Sequence, residues 1–193
     1  MEFMKRLILL YFILSYTTIL AQEFKIPEIK FQNETEKPNL YIELLKLKDN
    51  KSLIIKTSKT SYWIKGTTSN FIVYQNDGKI KKFILDSKNK IKHKSVKKRD
   101  YSRYWNLLNK LNSESKFELI KEQLNITSKP SENGNEITLV ISDGYTLSFE
   151  ICFENKYSCY SSSNPNSFIE KEFPGYTERQ KLVDLIQEFD NLF

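Results

Sequence analysis

The sequence is poor in the residues on which several common sites depend. Its 193 residues include two cysteines, one histidine and five glycines. Cys152, Cys159 and His93 lack the number and spacing that a structural zinc site requires. The glycines are scattered, so neither a dinucleotide-binding fingerprint nor a phosphate-binding loop can be written. We therefore expect no metal site and no cofactor.

Alanine is nearly absent, and the single alanine, Ala21, lies shortly after an apolar run near the start of the sequence. A basic start, Met4-Lys5-Arg6, leads into the apolar run Leu7–Leu14, and Ala21 follows. This layout is typical of a secretory signal peptide cleaved after a small residue. The apolar segment is shorter than the roughly 20 residues that a membrane span needs. We expect residues 1–21 to be removed on export to the periplasm or extracellular space, which leaves no transmembrane segment in the mature chain.

The rest of the chain is predicted to be an extended arm, residues 22–39, and one domain, residues 40–193. Short β-like runs recur through this domain between turn residues. The turn Asn76-Asp77-Gly78 predicts a hairpin, because Asp and Gly tolerate positive φ. Predicted strands cover residues 41–47, 52–57, 61–65, 70–75, 79–85, 90–97, 136–142, 145–153 and 157–161, of which the first also fits a helical turn and the seventh and eighth are joined at Asp143-Gly144.

Two segments show helical periodicity instead. Asp100 is predicted to cap the first, and Thr177 with Gln180 is predicted to form a capping box at the second. Their apolar stripes are Tyr101, Tyr104, Trp105, Leu108 and Leu111, and Leu182, Leu185, Ile186, Phe189 and Phe193. Since hairpins rather than βαβ units join the strands, we expect an α+β fold. Its sheet should be mainly antiparallel, with a central helix and a C-terminal helix packed on one face.

The two cysteines are candidates for a disulfide across a hairpin. A two-residue turn at Asn155-Lys156 would set Cys152 directly opposite Cys159, with Cα atoms about 5.5 Å apart and within disulfide range. Thiols so placed should be joined in an oxidising compartment. A redox-active pair is the weaker alternative, because the C-x-x-C spacing is missing.

Positive charge is concentrated in residues 79–103, which hold nine lysines and two arginines but only two acids. Four of these lysines alternate and should project to one side of a strand. The candidate anion-binding residues are Lys88, Lys90, Lys92, Lys94, Lys97, Lys98 and Arg99. Such a strip can bind a polyanion. The alternative is a solvated hairpin whose lysines guard an edge strand against aggregation.

Signals for catalysis are weak. A pair of carboxylates could serve a hydrolase, and the candidates lie in the C-terminal third: Asp143, Glu150, Glu154, Glu170 and Glu172. Charged residues on the wet face of a sheet explain the same pattern. His93, flanked by two lysines, is expected to be a solvent-facing strand residue without a catalytic role. Of the adjacent aromatics Tyr62 and Trp63, one should face solvent or a partner.

No motif identifies a family, and the sequence favours an exported binding or interaction protein of unknown ligand over an enzyme. The partner would be another protein or an anionic component of the cell envelope, contacted through residues 79–103. A nucleic acid is disfavoured as the partner, and the chain is expected to be a monomer. An exported hydrolase that uses the C-terminal carboxylates is the alternative.

Overall fold

The computed structural model describes residues 24–32, 40–48, 51–63, 66–141, 144–154, 156–167 and 173–193. The predicted signal peptide, residues 1–21, lies outside these ranges, as do residues 33–39 of the predicted arm. Within these ranges, every helix and strand lies at or after residue 40.

Strands and helices follow one another in blocks. A short helix, α1 (Leu40–Leu44), precedes four strands: β1 (Leu53–Ser61), β2 (Thr67–Tyr74), β3 (Ile80–Leu85) and β4 (Ile91–Lys94). The 3-10 helix Lys98–Asp100 leads into α2 (Tyr101–Ser113), which is followed by α3 (Lys121–Leu124). Next come β5 (Ser128–Pro130), β6 (Glu136–Thr138), β7 (Tyr145–Phe153) and β8 (Lys156–Ser163). A second 3-10 helix, Pro165–Ser167, precedes the last helix, α4 (Tyr176–Asp190).

Six strands form one antiparallel sheet in the order β4-β3-β2-β1-β7-β8. The prediction of an α+β fold with a mainly antiparallel sheet is therefore confirmed. The pairing predicted around Asp143-Gly144 is wrong, because β6 ends at Thr138 and pairs with β5 in a separate two-stranded sheet. β7 pairs instead with β1 and β8, and β1 thereby becomes a central strand of the large sheet.

The β2–β3 and β3–β4 hairpins share one turn geometry. The N–H of Gly78 donates to the carbonyl of Gln75 at 2.9 Å, and Gly78 has φ +79. Between β3 and β4 the N–H of Asn89 donates to the carbonyl of Asp86 at 2.9 Å, and Asn89 has φ +59. Both are turns closed by a left-handed residue, a conformation that Gly and Asn adopt most readily. The hairpin predicted at residues 76–78 is confirmed.

The helices α2 and α4 pack on one face of the sheet, called here the helix face. The buried side chains of this core come from β1, β2, β7, α2 and α4, and include Ile55, Ile72, Phe149, Trp105, Leu108, Leu182, Leu185 and Phe189. The two predicted stripes thus lie in the core with two exceptions. Tyr101 is only partly buried against it, and Phe193 is exposed while Leu192 is buried in its place. Of the predicted caps, Asp100 does stand at the N-cap of α2 but makes no side-chain cap bond. The cap predicted at Thr177 is wrong, because Gly175 is the N-cap of α4.

The opposite face of the sheet, called here the outer face, is covered in part by α1 and the residues after it. Leu45 and Leu47 are buried against Ile54, Phe71 and Val73. The strand predicted over residues 41–47 is therefore wrong, and its helical alternative is correct. A run that is apolar at Leu44, Leu45 and Leu47 fits either structure, because it is too short for periodicity to decide.

The described part of the predicted arm packs against the domain. Ile26 and Ile29 are buried in the core, and the ring of Phe24 stacks on Trp105 with centroids 5.7 Å apart. The side chain of Asn112 also donates to the carbonyl of Glu28 at 3.1 Å. Residues 24–32 thus have no helix or strand but contribute to the same core as the rest of the chain.

Candidate functional site

The predicted anion-binding residues lie along one border of the sheet. Lys88 and Lys90 belong to the turn between β3 and β4, and Lys92 and Lys94 belong to β4 itself. The 3-10 helix and the residue before it carry the other three, Lys97, Lys98 and Arg99. All seven are exposed, and they are called here the basic edge.

The predicted alternation of four lysines is wrong for the first two. The strand begins only at Ile91, because the carboxylate of Asp86 holds the preceding loop in a turn. One oxygen of Asp86 accepts the backbone N–H groups of Lys88 and Lys90 at 3.0 and 2.9 Å. Lys92 and Lys94 alone share a strand face, so the basic edge is built from a turn, a strand and a 3-10 helix in succession.

Few acids neutralise the basic edge. Lys92 lies 3.4 Å from Asp86, and Arg99 lies 3.8 Å from Asp100. Hydrogen bonds from the backbone of Lys90 and Lys88, and the charge of Lys92, lower the pKa of Asp86, so this carboxylate is ionised at neutral pH. Within the described ranges no other ion pair involves the seven residues, and the edge keeps a surplus of positive charge.

The cross-strand position of Lys94 adds to this surplus. It lies directly opposite Lys82 of β3. Lys82 is buried, and its ammonium group donates to the carbonyl of Leu192 at 2.7 Å rather than to an acid. Like charges directly opposite on antiparallel strands repel each other. A bound anion near Lys94 would relieve this repulsion.

The predicted register of the cysteine hairpin is wrong. β7 ends at Phe153 and β8 begins at its partner Lys156, so Cys152 faces Tyr157 and Cys159 faces Glu150. The two thiols are diagonal neighbours on the outer face, where Cα atoms are about 7–8 Å apart and beyond disulfide range. Both cysteines are free in the structure. Burial raises the pKa of Cys152 to about 11 and also raises that of Cys159, so neither is an activated thiolate.

Glu150 forms a buried network on the outer face that the sequence analysis did not find. Its carboxylate accepts hydrogen bonds from the ammonium group of Lys56 at 2.6 Å and from the hydroxyl of Tyr157 at 2.8 Å. It also accepts a hydrogen bond from the hydroxyl of Tyr41, which lies in α1. Lys56 and Glu150 lie in strands β1 and β7 and are direct cross-strand partners. The network therefore links α1 to three positions on the sheet.

The protonation states of this network are those of a structural ion pair. Burial raises the pKa of Glu150, but the charge of Lys56 and the three hydrogen bonds outweigh it, so the pKa lies below its usual value. Burial and the neighbouring carboxylate raise the pKa values of Tyr41 and Tyr157. Glu150 is thus a charged acceptor and the two tyrosines are neutral donors, an arrangement that holds protons in place rather than moving them.

These states bear on the hydrolase alternative. Of the five carboxylates considered, Asp143, Glu170 and Glu172 lie outside the described residues. Glu154 is exposed in the turn after β7 and has φ +53. Glu150 is neutralised by Lys56, whereas a general acid needs a carboxyl group with a raised pKa. The two described carboxylates therefore lack the features of a catalytic pair.

The exposed aromatic residues lie beyond the end of β1. Tyr62 is 56% exposed and Trp63 is 73% exposed, so both of them, not one, face solvent. The prediction assumed that strand alternation continues through them, but β1 ends at Ser61. Trp105 is buried as expected, and His93 is exposed in β4 with its ring 5.1 Å from that of Phe83.

Two more buried charged residues, Glu178 and Arg179, lie in the first turn of α4, and the sequence pattern did not predict their burial. The carboxylate of Glu178 accepts the N–H of Ile120 at 2.9 Å and pairs with Lys181 at 2.6 Å. The guanidinium of Arg179 donates to the carbonyl of Pro174 at 2.8 Å and to two carbonyls around α3. These bonds fix α3 and the start of α4 to each other, which is a structural role.

Comparison with known proteins identifies no relative: no protein-family model matches the chain, and no curated protein is significantly similar to it. None of the helices in the described ranges combines the length and the apolar character needed to cross a bilayer. In the same part of the chain, histidine, cysteine, aspartate and glutamate side chains do not gather into a group of three that could hold a metal ion.

Proposed function

We propose that this chain is a small exported binding protein that holds an anionic partner against the basic edge. The observation that supports the proposal is the clustering of seven exposed cations on consecutive elements at one border of the sheet. A surplus of one charge on one surface attracts a partner of the opposite charge and speeds its encounter. The partner is an acidic protein or an anionic component of the cell envelope.

Export is part of the proposal and is supported by the sequence layout of residues 1–21. Cleavage after Ala21 would release a chain that begins at Gln22. The mass of the intact protein purified from its native host measures this directly. Full-length chain recovered from the membrane fraction would contradict export while leaving the binding proposal untouched.

Binding to heparin across a salt series tests the basic edge, because heparin is a soluble polyanion without sequence requirements. The test variant replaces Lys90, Lys92 and Lys94 with glutamine. The matched control removes the same charge elsewhere by replacing Lys25, Lys30 and Lys48, which are also exposed, with glutamine.

The edge variant should elute at lower salt than the control, and its affinity should depend less steeply on salt, because fewer counterions are released on binding. Equal elution of the two variants would mean that net charge, not the basic edge, determines binding. Elution of the wild type below physiological salt would leave the lysines as a solvated guard of the edge strand.

A further inference from the structure

We infer that β4 is the docking edge for an extended acidic segment of a partner protein, which adds to the sheet as one more strand. The inference rests on the proposed function and names the class of its partner. Strand addition to an exposed edge combines affinity from main-chain hydrogen bonds with specificity from alternate side chains. Both contributions can be read from the geometry of β4.

The outer border of β4 is open. β3 is the only strand that pairs with β4 in the portion of the chain that the structure describes, and all four residues of β4 are exposed. At the opposite border of the sheet, a side chain covers the end of β8. The amide of Asn125 donates to the carbonyl of Ser161 at 3.0 Å and accepts the N–H of Ser163 at 3.4 Å. The two borders therefore differ: within the described ranges, the end of β8 has outward backbone groups occupied by a side chain, and β4 does not.

The turn before β4 determines which backbone groups point outward. The N–H of Asp86 donates to the carbonyl of Lys90 at 3.1 Å, which makes these two residues a hydrogen-bonded pair. Bonded and non-bonded pairs alternate along antiparallel strands. Lys92 and Lys94 therefore direct their backbone groups towards β3, and Ile91 and His93 direct theirs away from the sheet. The border offers two N–H donors and two carbonyl acceptors at the spacing of a strand.

The side chains of β4 specify which strand can be added. Residues of an antiparallel partner opposite Lys92 and Lys94 would form non-bonded pairs, in which Cα atoms are about 4.5 Å apart and side chains are closest. Carboxylates at these positions would neutralise both lysines. On the outer face, Ile91 and the ring of His93 present apolar surface beside Phe83. The segment that fits best alternates acidic and apolar residues.

The same charges exclude other occupants. A second copy of this chain, paired edge to edge through the same outward backbone groups, would set lysine opposite lysine and would be repelled. Lysines on an edge strand oppose unspecific pairing with apolar strands for the same reason that they oppose aggregation. An acidic strand is not repelled by these lysines. The basic edge therefore selects acidic strands as partners and does not only protect the sheet against aggregation.

The test uses two probes and separates charge from strand addition. The first probe is a short labelled peptide in which glutamate and valine alternate, and the second is heparin. H93P removes the outward N–H of His93 while keeping every lysine, and proline is tolerated on an edge strand where the N–H faces solvent. H93A is its matched control, because it removes the ring but keeps the N–H.

H93P should weaken peptide binding by about tenfold relative to H93A, the order of one lost hydrogen bond, and should leave heparin binding unchanged. K92Q/K94Q should weaken binding of both probes. A peptide N-methylated at alternate positions should bind wild-type protein about tenfold or more weakly than the unmethylated peptide. This last measurement needs no variant, so it decides the matter even where H93P fails to fold.

The outcomes distinguish this inference from the proposed function. Equal peptide affinity of H93P and H93A, or of the methylated and unmethylated peptides, would overturn strand addition and leave binding by charge alone. Binding of heparin without binding of the peptide would have the same meaning. If neither probe binds the wild type, the inference and the proposed function fail together.

Discussion

The buried network around Glu150 predicts a large and specific loss of stability when its charge is removed. Glu150→Gln keeps the shape of the side chain but leaves the ammonium group of Lys56 without its counter-charge. The side chains of Lys56 and Glu150 are only 17% and 9% exposed, so water replaces the lost interaction poorly. Breaking one partner of a buried ion pair costs about 3–5 kcal/mol. Because Lys56 keeps some contact with water, we expect about 3 kcal/mol.

A double-mutant cycle tests the ion pair further. Its second variant, Lys56→Met, leaves the carboxylate of Glu150 buried with only its two tyrosine donors. The double variant contains no buried charge and should recover part of the loss. We expect a coupling energy near the upper end of the roughly 0.5–3 kcal/mol found for residues in contact. Urea unfolding of the four proteins measures each free energy. Glu188→Gln is the control, because its pair with Lys110 is about half exposed and should contribute only about 0–1 kcal/mol.

The effect should depend on pH in one direction. The folded pKa of Glu150 lies below the unfolded value of about 4.3, so ionisation stabilises the fold above that pH. The difference between wild type and Glu150→Gln should be constant at neutral pH and should shrink as pH falls through the folded pKa. A Glu150→Gln protein as stable as Glu188→Gln, or a difference that grows towards acid, would refute the assignment of this ion pair.

Three further predictions concern the core, one turn and the thiols. Phe189→Ala should destabilise the protein by about 3–5 kcal/mol in urea unfolding, because the ring is fully buried. Gly175→Ala should lower the free energy of unfolding far more than Gly134→Ala. Both glycines have positive φ, but only at Gly175 would the new Cβ meet a carbonyl oxygen, at 2.0 Å. Cys152 and Cys159 should react slowly with a thiol reagent in the folded protein, and both should react after denaturation. If the denatured exported protein has no reactive thiol, the disulfide predicted from the sequence is present after all.

Local signals in the sequence were sufficient for the fold class. The hairpin at residues 76–78 follows from a residue that must adopt positive φ, and the stripe of α2 follows from helical spacing. Both depend on neighbours in the chain and on nothing distant. A suitable residue type indicated where α2 begins but did not ensure the cap bond: Asp100 stands at the N-cap, and its side chain makes no cap bond.

The register of β7 and β8 shows where local reasoning ends. Moving the turn by one residue shifts the pairing by two, so every side chain stays on the same face of the sheet. Alternation of apolar and polar residues therefore fits both registers equally well. The actual register sets Tyr160 opposite Phe149, both fully buried, and lets the hydroxyl of Tyr160 donate to the carbonyl of Phe117 at 2.9 Å. That choice depends on a residue 43 positions away, which the hairpin sequence does not contain.

The register also decides which charges are available for function. It sets Tyr157 beside Glu150, while the pairing of β1 with β7 sets Lys56 directly opposite the same carboxylate. The buried carboxylate of Glu150 is thereby neutralised within the fold. Sequence alone assigns no charge partner to Glu150 or to the lysines of residues 88–99, because the local pattern does not specify which residues pair across the sheet. Pairing across the sheet shows that the carboxylate of Glu150 is already neutralised by Lys56, whereas within the described ranges only Lys92 and Arg99 of the basic edge form an ion pair with an acid.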